Sequence, residues 1–521
     1  MQQKTINMNA DKMTRRQLIK AGATSTLCLA LPDISGFSSA PQFKSTAAGK
    51  GCALELTNCN IVDVVHGVVN PGKTIIIRNG LIESITDKRP AAEPCSLIMD
   101  MKDKYLIPGL IDAHCHSTLS SKADLDTFGH LTTMGQIKGN YVQQLTHGVT
   151  TIRDMGAMPK ILRDNLEMIE KGELIGPRVV FCNAMTNLYR SHPDIDPADI
   201  GIFAELVVAF IGNPSMWFKD LPDLEEKMSR NIAGGASFIK LTMDNKSVFC
   251  GKGDIPVYTD EQLKVITEFA QKHNMPTAGH IHTKYGFDRA LQYGINSMEH
   301  SIADAELADK EISQMAKKNI AIVPTMAIAQ MLAAPEAYDE LPRQFQTDYI
   351  ANELFIRRQY LNSSLDDYII PSIHKKSLES LADYKKYGCD NLYAHSKFHA
   401  KPEIYFNILL RGPKNIMKMK QAGVLIGCGT DSGVPFMYHG SLWREMEMLG
   451  RIGFSNREIL QCATINNAKI LRLADKIGTI EKGKYADLVA LKDNPLKKIE
   501  ACREPQIVIK EGRIYDVAKK I

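Results

Sequence analysis

Two histidines at alternate positions, His114 and His116, close an apolar run that begins at Leu106. Successive side chains of a strand point to opposite faces, so both imidazoles lie on one side and can reach one cation. The pair alone is ambiguous, because two core histidines would look the same. Ligand-type residues recur, however, at the ends of later apolar runs: Lys240 after Phe238-Ile239, His280 after Ala278-Gly279, His300 after Met298-Glu299, and Asp431 in Gly429-Thr430-Asp431. Imidazoles and carboxylates are the donors a divalent cation such as zinc takes.

The elements that must position these groups alternate in type. Short apolar runs at 106–114, 149–154, 178–183, 237–242, 276–281, 296–300, 320–325 and 424–430 are separated by helical patterns, which predicts eight parallel strands of an α/β fold, a (β/α)8 TIM barrel over 105–475. In that architecture all the strand ends converge on the face that carries the chemistry. The gap before the last run is too long for an ordinary connection, so residues 327–415, polar and rich in Tyr and Lys, are expected as an insertion over the barrel mouth. Residues 49–104 and 476–521 share a β texture, with Asn79-Gly80 marking a tight hairpin, and are expected to pair into one small β-sandwich domain.

The motifs PGLIDAHCH (108–116), THGVTTIRDMG (146–156), GASFIK (235–240), NSMEHS with the VPT after it (296–301, 323–325), GTDSG (429–433) and the closing run ATINNAKILRLADKIGTIEKGKYADLV (463–489) resemble the amidohydrolase superfamily of metal-dependent hydrolases. The similarity is to the branch of imidazolonepropionase-like proteins, Xaa-Pro and Xaa-Arg dipeptidases and ochratoxinase-like amidases, and covers about 52–515. It implies two divalent metal ions, zinc by expectation. His114, His116 and Asp431 would hold one, His280 and His300 the other, and an N6-carboxylated Lys240 would bridge them. Burial lowers a lysine's pKa, which makes carboxylation chemically reasonable. The resemblance places a Ser-Gly-Gly run shortly after this lysine, whereas this chain has Thr242-Met243-Asp244-Asn245.

On that reading the chain is a hydrolase of C–N amide or peptide bonds, acting on a dipeptide, an N-acyl amino acid or a related amide. Two cations sharing a hydroxide would bring the pKa of water from 15.7 towards roughly 7, with Asp431 as catalytic proton carrier to the leaving nitrogen. Helix capping is the competing role for Asp431. His282, His192 and Arg190 are candidate substrate-binding residues, and Arg153 is expected to bond strand-end carbonyls or Asp154. Two alternatives remain: a mononuclear cyclic-amide hydrolase or deaminase, against which Thr283 stands where a ring-protonating carboxylic acid is expected, and a non-catalytic exported binding protein.

Lys+Arg 63 against Asp+Glu 59 leaves a net charge of +4, too balanced over 521 residues for a nucleic-acid partner. The 11 cysteines form no CxxC pair, so neither a disulfide framework nor a cysteine-held metal is expected. Thr14-Arg15-Arg16-Gln17-Leu18-Ile19-Lys20, the apolar stretch Ala21–Leu31 and a Ser/Ala-rich tail to Ala48 resemble a twin-arginine export signal, which predicts contact with that export machinery and a periplasmic or extracellular protein. The apolar part is far short of the ~20 residues that span a bilayer. Small molecules are the expected partners; homo-oligomerisation is left open.

Overall fold

A computed structural model describes residues 45–87, 95–121, 127–192, 211–246, 255–333, 338–339, 342–363, 369–382 and 403–518. Of the expected signal and tail, 1–48, residues 1–44 lie outside them.

Both ends of the chain build one nine-stranded sheet. Leu54–Asp63, Val68–Arg78, Leu81–Thr86, Leu97–Asp100 and Tyr105–Pro108 join Leu488–Leu491, Ile507–Lys510 and Arg513–Asp516 from the far end, with Ser45–Thr46 at one edge. Asn79 and Gly80, at φ 51° and 79°, make the two-residue turn between Arg78 and Leu81, as a hairpin with right-twisted strands requires. The Leu81–Thr86 edge folds back onto the chain that leads into Leu488–Leu491, since Ile82 N donates to Lys484 O and Ala486 N to Gly80 O, both at 2.8 Å. Leu54, Ile75, Ile82, Leu106, Leu488 and Ile509 accordingly share one apolar core.

A disulfide joins Cys52 to Cys95, contrary to the sequence expectation. Their separation of 43 residues carries no spacing signal, but register explains the pairing. Leu54 and Leu97 are partners in parallel strands, and each cysteine stands two residues before its leucine.

The barrel strands are β1 (Leu110–Cys115), β2 (Val149–Asp154), β3 (Arg178–Phe181), β4 (Ile239–Thr242), β5 (Thr277–His280), β6 (Ser297–Glu299) and β7 (Ala321–Val323). All their neighbour pairings are parallel: β1–β2–β3 on one side and β4–β5–β6–β7 on the other. The expected run 106–114 is broken at Gly109. Tyr105–Pro108 pairs antiparallel with Leu488–Leu491, and the chain enters the barrel only from Leu110 onward. A Cβ at Gly109 would meet Thr150 Oγ1 at 2.0 Å, so the crossing admits no side chain. The third expected strand is also shorter. The chain turns at Asn183, φ 61°, and resumes as Met185–Asn187, which pairs with β4 and with Ser215–Trp217.

The eighth run, 424–430, forms no ladder of its own. Single bridges replace it: Ile322 with Ile426, and Cys115 with Ser432. Gly427 N donates to Ile322 O (2.8 Å) and Ala113 N to Cys428 O (3.0 Å), which closes the ring between β7 and β1. The described parts of 327–415 are largely helical, in Met326–Leu332, Asp348–Asn362, Pro371–Ala382 and the start of Glu403–Gln421. Buried Glu445 accepts from the backbone N–H of Met326 and Ala327 at 3.0 and 2.7 Å, and Arg451 pairs with Glu353 at 2.6 Å, which ties the first two of those helices to Leu442–Arg451.

Candidate metal centre

The C-terminal ends of these strands deliver two groups of donors, all buried except the half-buried His116. His114, His116 and Asp431 form one, and His280, His282 and His300 the other. His114 lies within β1 and His116 just past it, and their Nε2 atoms stand 3.4 and 3.2 Å from one oxygen of Asp431. The groups adjoin: the His300 ring is 4.6 Å from that of His114 and 4.4 Å from that of His280. His300, Thr325 and Asp431 all have left-handed backbones, with φ 78°, 43° and 59°. For residues other than glycine this costs of order 1–3 kcal/mol each, and such strain gathers at functional sites.

Outer partners orient the rings. His114 Nδ1 is 3.0 Å from Glu299 Oε2, His116 Nδ1 is 3.1 Å from Gly156 O, and His300 Nδ1 is 2.7 Å from Thr325 Oγ1. Glu299, wholly buried, also accepts from Arg153 Nη2 (2.6 Å) and Ser297 Oγ (2.6 Å). Burial pushes the Glu299 carboxyl up, but Arg153, with His114 and Lys240, more than reverses this and holds it at about 2. Arg153 Nε reaches the strand carbonyl of Ala113 at 2.7 Å, one of the two roles expected for it.

Charge in the centre follows burial. Burial and the neighbouring imidazoles hold His280 and His300 well below the usual histidine range, so both rings are neutral, the form that ligates a cation. Burial raises the Asp431 carboxyl, but His114 and His116 overcome that and keep it well below the ordinary carboxylate range. Lys240 is 1 % exposed, and its Nζ has no hydrogen-bond partner among the described residues. Burial lowers it to about 8 despite the opposing pull of Glu299 and Asp431.

The remaining expected residues divide. His192 stacks on His280 at 3.9 Å and His282 on His300 at 4.5 Å, so both belong to the cluster. Arg190 lies over the ring of its neighbour Tyr189, at 5.3 Å. Sequence reasoning gave no role to Glu299, Asp112 or Asp244. Asp112 accepts from His114 N, Thr430 N and Thr430 Oγ1 at 3.2, 3.1 and 2.6 Å, joining the histidine strand to the Asp431 turn. The signal available for it was its place inside the motif, two residues before His114.

The model of the amidohydrolase family matches residues 105–515, which takes in the whole barrel and the returning strands. The chain belongs to the amidohydrolase family. This amidohydrolase is 24% identical over 431 residues to ochratoxinase of Aspergillus niger, covering 79% of this chain and 75% of that one. Its fold is similar to that of a prolidase solved in complex with N-methylphosphonate-L-proline, at TM-score 0.64 and 20% identity, covering 89% of this chain and 99% of that one. Solved A. niger ochratoxinase superposes at TM-score 0.62 and 18% identity, covering 90% and 96%. Membership supports the coarse activity, hydrolysis of a carbon–nitrogen bond.

Proposed function

We propose that this amidohydrolase cleaves the amide or peptide bond of a small molecule, such as a dipeptide or an N-acyl amino acid, with two divalent cations. Zinc suits the imidazole and carboxylate donors. His114, His116 and Asp431 would hold one cation, His280 and His300 the other, with carboxylated Lys240 between them. The observation that carries this reading is the buried, unpartnered Nζ of Lys240, within electrostatic reach of Asp431 and Glu299, in a barrel mouth that gathers two groups of imidazole and carboxylate donors. A buried ammonium without an acceptor is costly. The neutral amine can instead add carbon dioxide, forming an N–C bond and releasing a proton, and the resulting carbamate is an anionic oxygen ligand.

When bound, the cations would polarise the scissile carbonyl and lower the pKa of water towards roughly 7. The protein's own groups do the rest. Asp431, held ionised by the two imidazoles and fixed in a left-handed turn by Asp431 N donating to His114 O at 2.7 Å, accepts the proton of the attacking water and passes it to the departing nitrogen. His192 and His282 pack beside the ring of His280, at 3.9 and 4.7 Å, and on this reading would contact the substrate.

Screening the purified protein against dipeptides and N-acyl amino acids, alongside Asp431→Asn, tests this. Loss of at least about 100-fold in kcat with an unchanged circular dichroism spectrum is expected. Near-normal turnover in the variant would remove Asp431 from the chemistry. Export by the twin-arginine route belongs to the same proposal, and the Cys52–Cys95 disulfide supports it, because such bonds persist in oxidising compartments. Replacing Arg15 and Arg16 together with lysine should keep the protein in the cytoplasm; unchanged periplasmic yield would reject that route.

A further inference from the structure

Asp244 is a buried carboxylate with no part in the chemistry above. It is 1 % exposed and stands in the stretch after Lys240 where the resemblance leads one to expect small residues. Its oxygens accept the backbone N–H of His282 at 2.8 and 3.0 Å, the N–H of Thr283 at 3.0 Å and the Thr283 hydroxyl at 2.7 Å. Oδ2 also lies 3.6 Å from His280 Nε2 and 3.7 Å from His282 Nδ1. Those two ring nitrogens are 3.2 Å apart.

His280 is the exception among the four histidines assigned to the cations. The other three turn Nδ1 to an outer acceptor, Glu299, Gly156 O or Thr325, which leaves Nε2 for a cation. In His280 the nitrogen with the outer contact is Nε2. A ring nitrogen that holds a cation carries no proton, so a neutral imidazole keeps its hydrogen on the other one. On the pattern of the other three, His280 would ligate through Nδ1 and donate Nε2–H. The acceptor within reach is His282 Nδ1, which has to be bare, with the His282 proton on Nε2.

We infer that Asp244 is a positioning residue for the second cation. By gripping the His282-Thr283 backbone and placing a negative charge beside both rings, it holds His282 as the acceptor for His280 Nε2–H and so fixes the ring and tautomer of His280. This rests on the two-cation reading above. It also gives His282 a task distinct from substrate contact.

The test is zinc affinity of the purified full-length chain, measured by competition with a chromophoric chelator, together with the thermal midpoint of the zinc-free protein. Asp244→Asn keeps the side-chain shape and one oxygen for the backbone donors while removing the charge. One of two zinc affinities should fall about 10- to 100-fold, with the other affinity and the zinc-free midpoint unchanged. His282→Ala should show the same selective loss, and the double variant little more than either single one, because both act through one ring. Wild-type affinities at both sites in Asp244→Asn would overturn the inference alone, as would both affinities falling together with the midpoint. A wild-type protein that binds fewer than two zinc ions would overturn the two-cation reading and this inference with it.

Discussion

Glu299→Gln isolates what holds the first histidine in place. The native carboxylate is fully buried and balances Arg153, itself 3 % exposed, while accepting the His114 ring proton. Glutamine fills nearly the same volume but removes the charge, so Arg153 is left with Ser297 and the Ala113 carbonyl and no carboxylate in contact. An uncompensated buried charge costs about 3–5 kcal/mol, a large share of the roughly 5–15 kcal/mol that keeps a protein folded. His114 meanwhile loses its anionic acceptor, which should weaken cation affinity about 10- to 100-fold. Denaturant titration of the metal-free protein reads the first effect and chelator competition the second. Adding Arg153→Met to Glu299→Gln should recover part of the lost stability, since the orphaned charge is then gone. A loss under about 1 kcal/mol for the single variant, or a double variant less stable than the single one, would refute the claim that Glu299 balances Arg153.

Other parts of the fold lead to further expected outcomes. Cys52→Ser with Cys95→Ser opens a loop closed across 43 residues, and the chain-entropy relation gives a loss of about 4 kcal/mol, read as a lower unfolding midpoint; an unchanged midpoint under oxidising conditions would show that the bond does not constrain the unfolded chain. At Gly429 a Cβ would meet His114 N at 2.9 Å and His114 Cβ at 2.8 Å, so Gly429→Ala should cost about 1–3 kcal/mol and displace the histidine strand, visible as lost zinc binding. Burial raises the Glu445 carboxyl to about 7 against the opposing N–H groups of Ala327 and Met326, so the folded state favours its protonated form. Its contribution to stability is full below pH 4.5 and fades as the pH rises to about 7, so the midpoint of Glu445→Gln relative to wild type should climb across that window; a flat difference would contradict the assignment.

Much of the barrel was legible because its strands are apolar runs ending in residues of unusual chemistry. His114 and His116 announce themselves by spacing, and His280, His300 and Asp431 by repetition at strand ends. The misread elements are those where register, rather than composition, decides. An apolar run from Leu106 cannot show that Gly109 passes it from one sheet to another, and 424–430 has strand composition but closes the ring through isolated bridges. Cys52 and Cys95 meet only because two parallel strands start level. The outer partners were invisible for a related reason: Glu299 and Asp244 act on rings 185 and 38 or fewer residues away through contacts that the folded chain creates.

The central claim is that a modified Lys240 sits between two cations. Metal analysis of the wild-type protein and of Lys240→Ala, each expressed with zinc and freed of loose metal, addresses it most directly. The account predicts about two zinc ions per wild-type chain and at most one in the variant, with the variant still folded. Two ions in both proteins, or a single ion in the wild type, would contradict it.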